Sequence, residues 1–520
     1  MKIKLVIPAF VGFFILGSLI ANYFLQFKRE SSQVLSSQTP VGPALFISTV
    51  KELKSVIENE LTVQNCPSRI SSYTENLYNL PTRYFMPVND DQTAFLKAEG
   101  PRTLQDMFEL RLALRKKLKA FEAEGPTPIL CVDMIRRAFR VSRFSEEFLL
   151  EWLQSHQVVG HKAYLAWQGP FPHIVVNPEY QKEDLKFQAG DVLLIYGKSP
   201  ISATISQIAD EPGSFSHQAI IGQDPQGKLY LIETLIETGT HLIPLNEWLK
   251  TADDTRSIHY RYEDSKVGQM AGRLIYDRAQ SHLEKNKETI RYDFAMDDKD
   301  HTTLFCPEVI QAAYEYAAHA LGREPLVYPR YRTQVRKLRG TGYLEAMGIT
   351  PKDLLAPSDI EVDTRFHMLE EYRNLPILRH MRLQEAVLRS VFRWMEEKDY
   401  KFNFSAIYSA ESYMSKLLRN FGAFKDTIPT YIPTKVLGTV LKLKAVVSAI
   451  DAQVIPWEAE YFKKYGHSLT FREVMEKVEE IRKQDCELSK KSMSENIFND
   501  NRVKKPYSEF HWFFNSPKGC

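Results

Sequence analysis

An excess of charge of either sign is missing from this sequence: 67 basic side chains stand against 65 acidic ones, a formal net charge of +2. That balance gives no long-range positive field of the kind that gathers nucleic acid, so nucleic acid is excluded as an expected partner. Cysteine is scarce. Five in 520 residues are too few for a disulfide-built scaffold, and the odd number leaves at least one thiol unpaired in any intramolecular scheme. There is no internal repeat and no low-complexity tract. A composition of 44% hydrophobic, 25% charged and 12% aromatic residues belongs to neither disordered nor fibrous chains. Long apolar runs without charge are also missing, except at one place.

That place is the start of the chain. Lys2 and Lys4 precede an uncharged run from Leu5 to Phe27, and Lys28 and Arg29 follow it. A helix of about twenty apolar residues spans a bilayer, whereas a secretory core is about 7–15. Residues 1–30 are therefore expected to be a membrane anchor or a signal sequence. Either would direct the chain to the membrane, with an uncleaved single-pass anchor and an extracytoplasmic body as the favoured form and secretion as the outcome of cleavage. In such an oxidising compartment Cys66 with Cys131 and Cys486 with Cys520 are candidates to bridge, which would leave Cys306 free.

A Ser/Gln/Pro/Gly-rich linker is expected over 31–45 and a helical domain over 46–158. In the latter, Thr103 is read as an N-cap, and Met107, Leu110, Leu114, Leu118 and Phe121 follow helical spacing until Gly125-Pro126. From about Gly160 short β-branched and aromatic runs alternate with turns. Strands are expected at His173 to Val176, Asp191 to Tyr196, His217 to Gly222, Leu229 to Glu233 and Ser257 to Tyr262. Helices return at Pro307 to Leu321, around Leu383 to Met395, and at Val440 to Ile450. The last holds Lys442 and Lys444, so it reads as amphipathic and not membrane-spanning. The segment 326–520 is thus expected to be a helical C-terminal region.

Chemistry concentrates at Leu304-Phe305-Cys306-Pro307-Glu308-Val309. Proline suits the first helical position, and Val309, Ile310, Ala313 and Ala317 supply an apolar face, so Cys306 falls at or beside an N-cap. There the unpaired N–H groups and the helix dipole favour thiolate over thiol. Such a nucleophile needs a base. About ninety residues upstream, Ser216-His217 leads through Asp224-Pro225-Gln226-Gly227 into Lys228 to Glu233. A type I turn followed by a glycine bulge would place Ala219 opposite Glu233, with His217 diagonal to it on the same face. A simple two-residue loop would put the two on opposite faces. Glu237 is the reserve carboxylate, and Tyr292 or Ser216 the candidates to assist at an oxyanion. A zinc site combining Cys306 with His301, His282 or His217 has no recognised ligand spacing, so neither metal nor cofactor is expected.

The succession Gly190-Asp191-Val192-Leu193-Leu194, Ser216-His217, Glu233, Pro244-Leu245, Trp248, Tyr292-Asp293-Phe294 and Cys306-Pro307-Glu308 resembles the circularly permuted NlpC-type papain-fold hydrolases of the YiiX/YaeF kind. The resemblance covers about 185 to 325, with an echo around Ala356 to Met368. It implies a catalytic set of Cys306, His217 and Glu233. This chain departs from the family's usual pattern in having Pro307 where serine is common, Gln218 and Ala219 after the histidine, and Thr234 after the carboxylate.

The expected fold is therefore α+β: a permuted papain-like domain over 159–325, its small antiparallel sheet packed on the Cys306 helix, flanked by N- and C-terminal helical regions. The expected activity is cleavage of an amide or ester, in a peptide, a peptidoglycan stem or a lipid, by a membrane-tethered cysteine hydrolase of the cell envelope. A thiol acyltransferase acting on lipids, or an inert anchored scaffold, are the alternatives.

Overall fold

Local turn chemistry sets the register of the hairpin that carries the site. One oxygen of Asp224 accepts the backbone N–H groups of Gln226 and Lys228, at 2.9 and 2.8 Å. Gly227 takes φ +88°, which a side chain would strain. In the computed structural model this turn joins β3 (His217–Gln223) to β4 (Leu229–Leu235) with Ala219 opposite Glu233, as the glycine-bulge reading requires.

The structure describes residues 42–79, 82, 85–159, 172–198, 200–251, 255–298, 300–324, 326–335, 342–349, 353–403, 432–498, 508–515 and 520. The expected anchor or signal at 1–30 lies outside them, as does most of the 31–45 linker; Pro43 already opens a helix, Pro43–Asn59. Among the described residues no helix is long and apolar enough to cross a membrane.

β3 and β4 belong to a seven-stranded sheet, antiparallel at every pairing. Its other strands are β1 (Pro172–Val176), β2 (Val192–Tyr196), β5 (Gly239–Pro244), β6 (Arg256–Tyr262) and β9 (Phe366–Asn374); β7 (Thr333–Gln334) and β8 (Asp353–Leu354) form a separate short ladder. The order across the sheet is β1-β9-β6-β2-β3-β4-β5. Both faces are covered. Val192, Leu194, Ile220, Ile232 and Ile258 face the main core, which includes the helices Ser265–Asn286 and Cys306–Ala320. Leu193, Ile195, Ala219, Ile221 and Leu231 pack with Leu245 and Trp248 of the helix Leu245–Thr251 on the other face. Gly190 and Gly272 allow the first of those helices to touch the sheet: a Cβ on Gly272 would lie 2.5 Å from the Gly190 nitrogen.

Mixed helix and antiparallel sheet make the chain α+β. The sheet does not end at residue 325, however. β9 comes from the segment expected to be helical, and it runs between β1 and β6. Its sequence, Phe-His-Met-Leu-Glu-Glu-Tyr-Arg-Asn, carries charges that read as solvated, yet Glu370, Glu371 and Arg373 are all buried.

The charges of β9 find partners in the N-terminal helices, Asp90–Glu124 and Ile129–Ser155. Arg111, Arg143 and Arg373 surround Glu371, and Arg111 and Arg373 also pair with Glu146, at 2.5 and 2.9 Å; Arg143 pairs with Glu361 at 2.5 Å. Arg256 of β6 chelates Glu147 at 2.7 and 2.9 Å. Buried ions persist only when paired in this way. The first of these helices starts earlier than Thr103. Its N-cap is Asn89, whose side chain accepts from Gln92 N, and Pro101 lies within it. Gly100 sits against Leu153, where a Cβ would come within 2.9 Å of Cδ2; helix packing uses the position.

Beyond β9 come helices Leu375–Glu397, Thr434–Tyr465 and Phe471–Phe498. Disulfides join Cys66 to Cys131 and Cys486 to Cys520, and Cys306 is the free cysteine.

Candidate functional site

Phe305 is extended (φ −111°, ψ 168°) and is the N-cap; Cys306 is the first helical residue and Pro307 the second. Proline thus stands one place later than the sequence reading put it, and the cysteine itself faces the open N–H groups. Glu308 completes the cap, its Oε2 accepting Phe305 N–H at 3.2 Å. The helix is held down by Val309, Ile310, Ala313 and Ala317, all fully buried, and by Tyr314, whose hydroxyl donates to Gly190 O at 2.7 Å.

This orientation delivers the Cys306 sulfur to the start of β3, 4.0 Å from the Ser216 carbonyl oxygen. His217 is the first residue of that strand. Its Nε2 lies 2.7 Å from Glu233 Oε2, and Cys306 is the other group that acts on its ring. With Nε2 committed to the carboxylate, Nδ1 is the nitrogen left for sulfur. Burial opposes a charge on this imidazole, but the hydrogen bonds with Cys306 and Glu233, reinforced by their negative charge, push its pKa up to about 10. These contacts favour the charged, imidazolium form of His217. Cys306 is 4% exposed and the His217 side chain 15%, so solvent reaches the pair mainly at the imidazole.

Cys306, His217 and Glu233 are therefore brought together. Glu237 falls in the turn after β4 and does not take their hydrogen bond. Ser216 uses its hydroxyl to accept Gly197 N–H at 3.2 Å, and Tyr292 is buried beside Phe294, ring centroids 5.2 Å apart. Of the histidines considered for zinc, His217 is the one brought to Cys306, and it is held by Glu233; His301 is engaged elsewhere. Both nitrogens of His301 face carboxylates, Glu308 Oε1 at 2.7 Å and Glu315 Oε2 at 3.1 Å. Among the described residues, Cys486, His511 and Cys520 do lie close enough to share an ion. There the two sulfurs are bonded to each other, and the His511 nitrogens are taken by Asp485 at 2.6 Å and the Tyr400 hydroxyl at 2.9 Å.

Two residues beside the site escaped the sequence reading. Gln218, noted there only as a departure from the family's pattern, is fully buried; it donates to Pro357 O at 2.6 Å and accepts from the Tyr328 hydroxyl at 2.8 Å. It ties β3 to segments more than a hundred residues away, which no local pattern could signal. His301 was weighed only as a metal ligand, although its seven-residue separation from Glu308 was visible.

No curated protein matches the chain, and no solved structure does. Residues 186–356, which hold His217, Glu233 and Cys306, match the model of a family described as permuted papain-like amidase enzymes, YaeF/YiiX, C92 family, so this part of the chain is similar to the permuted papain-like family.

Proposed function

We propose that the chain is a cysteine hydrolase that cleaves an amide or ester through an acyl-thioester on Cys306. The observation that carries the proposal is the His217 ring, held by Glu233 at 2.7 Å and acted on by Cys306, whose sulfur lies 4.0 Å from the carbonyl oxygen of the adjoining Ser216. In the proposed sequence the Cys306 thiolate attacks the substrate carbonyl carbon and a C–S bond forms. The oxyanion that results lies near the open N–H groups at the helix start. His217 passes its proton to the leaving nitrogen or oxygen as that bond to carbon breaks. The now neutral imidazole takes a proton from water, whose oxygen attacks the thioester; the acid departs and the thiolate–imidazolium pair is restored. Glu233 holds the ring in register throughout. The uncharged run Leu5 to Phe27 and the two disulfides support tethering in an oxidising envelope compartment.

The test uses the full chain and p-nitrophenyl acetate. We expect a burst of one p-nitrophenol per chain and a hydroxylamine-labile acetyl group on Cys306, both absent from Cys306→Ser. An equal burst from the serine variant would refute the proposal. Given a thioester, peptide amides and lipid esters offered as donors then separate an amidase from a lipid acyltransferase.

A further inference from the structure

The first turn of the Cys306 helix contains a conflict. A thiolate at its first position gains from the positive end of the helix, yet Glu308, two residues on and 1% exposed, places a carboxylate in the same turn. Left uncompensated, that negative charge would work against ionisation of the sulfur. The compensation comes from the loop before the helix. His301 bridges Glu308 Oε1 (2.7 Å from Nδ1) and Glu315 Oε2 (3.1 Å from Nε2). Ionised carboxylates only accept, so the ring must donate from both nitrogens, and only imidazolium does so. His301 also has φ +53°, uncommon for a side-chain-bearing residue, and its carbonyl is held by Arg278.

We propose that His301 is a positioning residue for Cys306: as an imidazolium clamped between Glu308 and Glu315 it cancels the carboxylate charge at the helix start while fixing the Glu308 cap, and so keeps the sulfur ionised. The inference rests on the reading of Cys306 as a nucleophile. Hydrogen bonds to Glu308 and Glu315, against the cost of burial, carry the His301 pKa up to about 9, so the compensation holds at neutral pH. The charged groups facing the pair are Glu308 and Glu315 on the Cys306 helix, Arg278 on the helix Ser265–Asn286, and Asp293 and Asp300 on the preceding loop. Arg278 is directed to a carbonyl and to the Tyr316 hydroxyl, at 2.7 Å for the latter, and to neither carboxylate. The charge balance of Glu308 therefore falls to His301.

The experiment follows alkylation of Cys306 by iodoacetamide against pH in the full, oxidised chain, read by intact mass; the other four cysteines are in disulfides. We expect His301→Gln to raise the midpoint by about one pH unit, which is about tenfold slower labelling below both midpoints. Adding Glu308→Gln should return the midpoint to the parent value, because the charge and its balance are then both removed. An unmoved midpoint in His301→Gln, or a double variant that stays shifted, overturns the proposal. Should His301→Gln fail to fold, Glu308→Gln alone decides: a midpoint at or below the parent supports charge compensation, and a raised one overturns it. A parent midpoint at the free-thiol value of about 8.5 would instead sink the nucleophile reading itself, a result distinct from a low parent midpoint that His301→Gln leaves in place.

Discussion

Glu371→Gln removes one negative charge from a place with no access to water. The Glu371 side chain is 0% exposed, as are those of Arg111 and Arg373, and that of Arg143 is 2% exposed. Its oxygens accept from Arg111 at 2.9 and 3.2 Å, from Arg143 at 3.2 Å and from Arg373 at 2.6 Å. Around it three guanidinium groups balance three carboxylates, Glu146, Glu361 and Glu371. Glutamine keeps the shape, but it leaves one positive charge uncompensated and turns an NH2 toward a guanidinium. Breaking a buried ion pair from one side costs about 3–5 kcal/mol. In a large cooperative unit that corresponds to a fall of at least about 5 °C in the apparent melting midpoint. The pH dependence has a definite sign. Burial opposes ionisation of Glu371, but Arg111, Arg143 and Arg373 hold its pKa well below the usual carboxylate range. Its contribution is thus fully present above the unfolded value of about 4.3 and is lost as pH falls below it. Circular dichroism melts of parent and variant should differ most at pH 6–7 and converge toward pH 3. A variant that melts within about 1 °C of the parent at pH 7 would refute the reasoning.

Glu233→Gln should leave the fold intact and slow the p-nitrophenol burst about 10–100-fold, since one charge-assisted hydrogen bond to a partly buried His217 is worth about 1.5–3 kcal/mol and solvent screening trims it; an unchanged burst rate would deny Glu233 its role. The His217 pKa is raised to about 10, so its imidazolium form persists through neutral pH and is lost as pH rises through that value. The burst rate should accordingly hold a plateau above neutrality and decline only near pH 10, and a decline centred near pH 7 would contradict the thiolate–imidazolium assignment.

What was legible in the sequence was local. Asp224, Pro225 and Gly227 specify a turn whose geometry fixes the register, and the register alone carries His217 to Glu233. Phe305, Cys306, Pro307 and Glu308 specify a helix start through backbone preferences and one side-chain cap. What was not legible depended on distant partners. β9 looks like a charged surface segment until Arg111 and Arg143, over two hundred residues earlier, are placed against Glu371. The same holds for Ile129–Ser155, where Glu146, Glu147 and Glu151 are buried although hydrophobic periodicity assigns such residues to solvent. The Thr103 N-cap misled for a related reason: the capping signal is local, and the packing of Gly100 against Leu153 inside the longer helix is not.

The strand order has a consequence for biosynthesis. A ribosome emits β6 well before the residues of β9 that flank it, so the emerging sheet keeps a bare row of N–H and C=O groups along β6 until residue 374 has cleared the exit tunnel. An excised fragment cut at the family-match limit of 356 would retain that open border permanently, and copies of it should add to one another strand by strand.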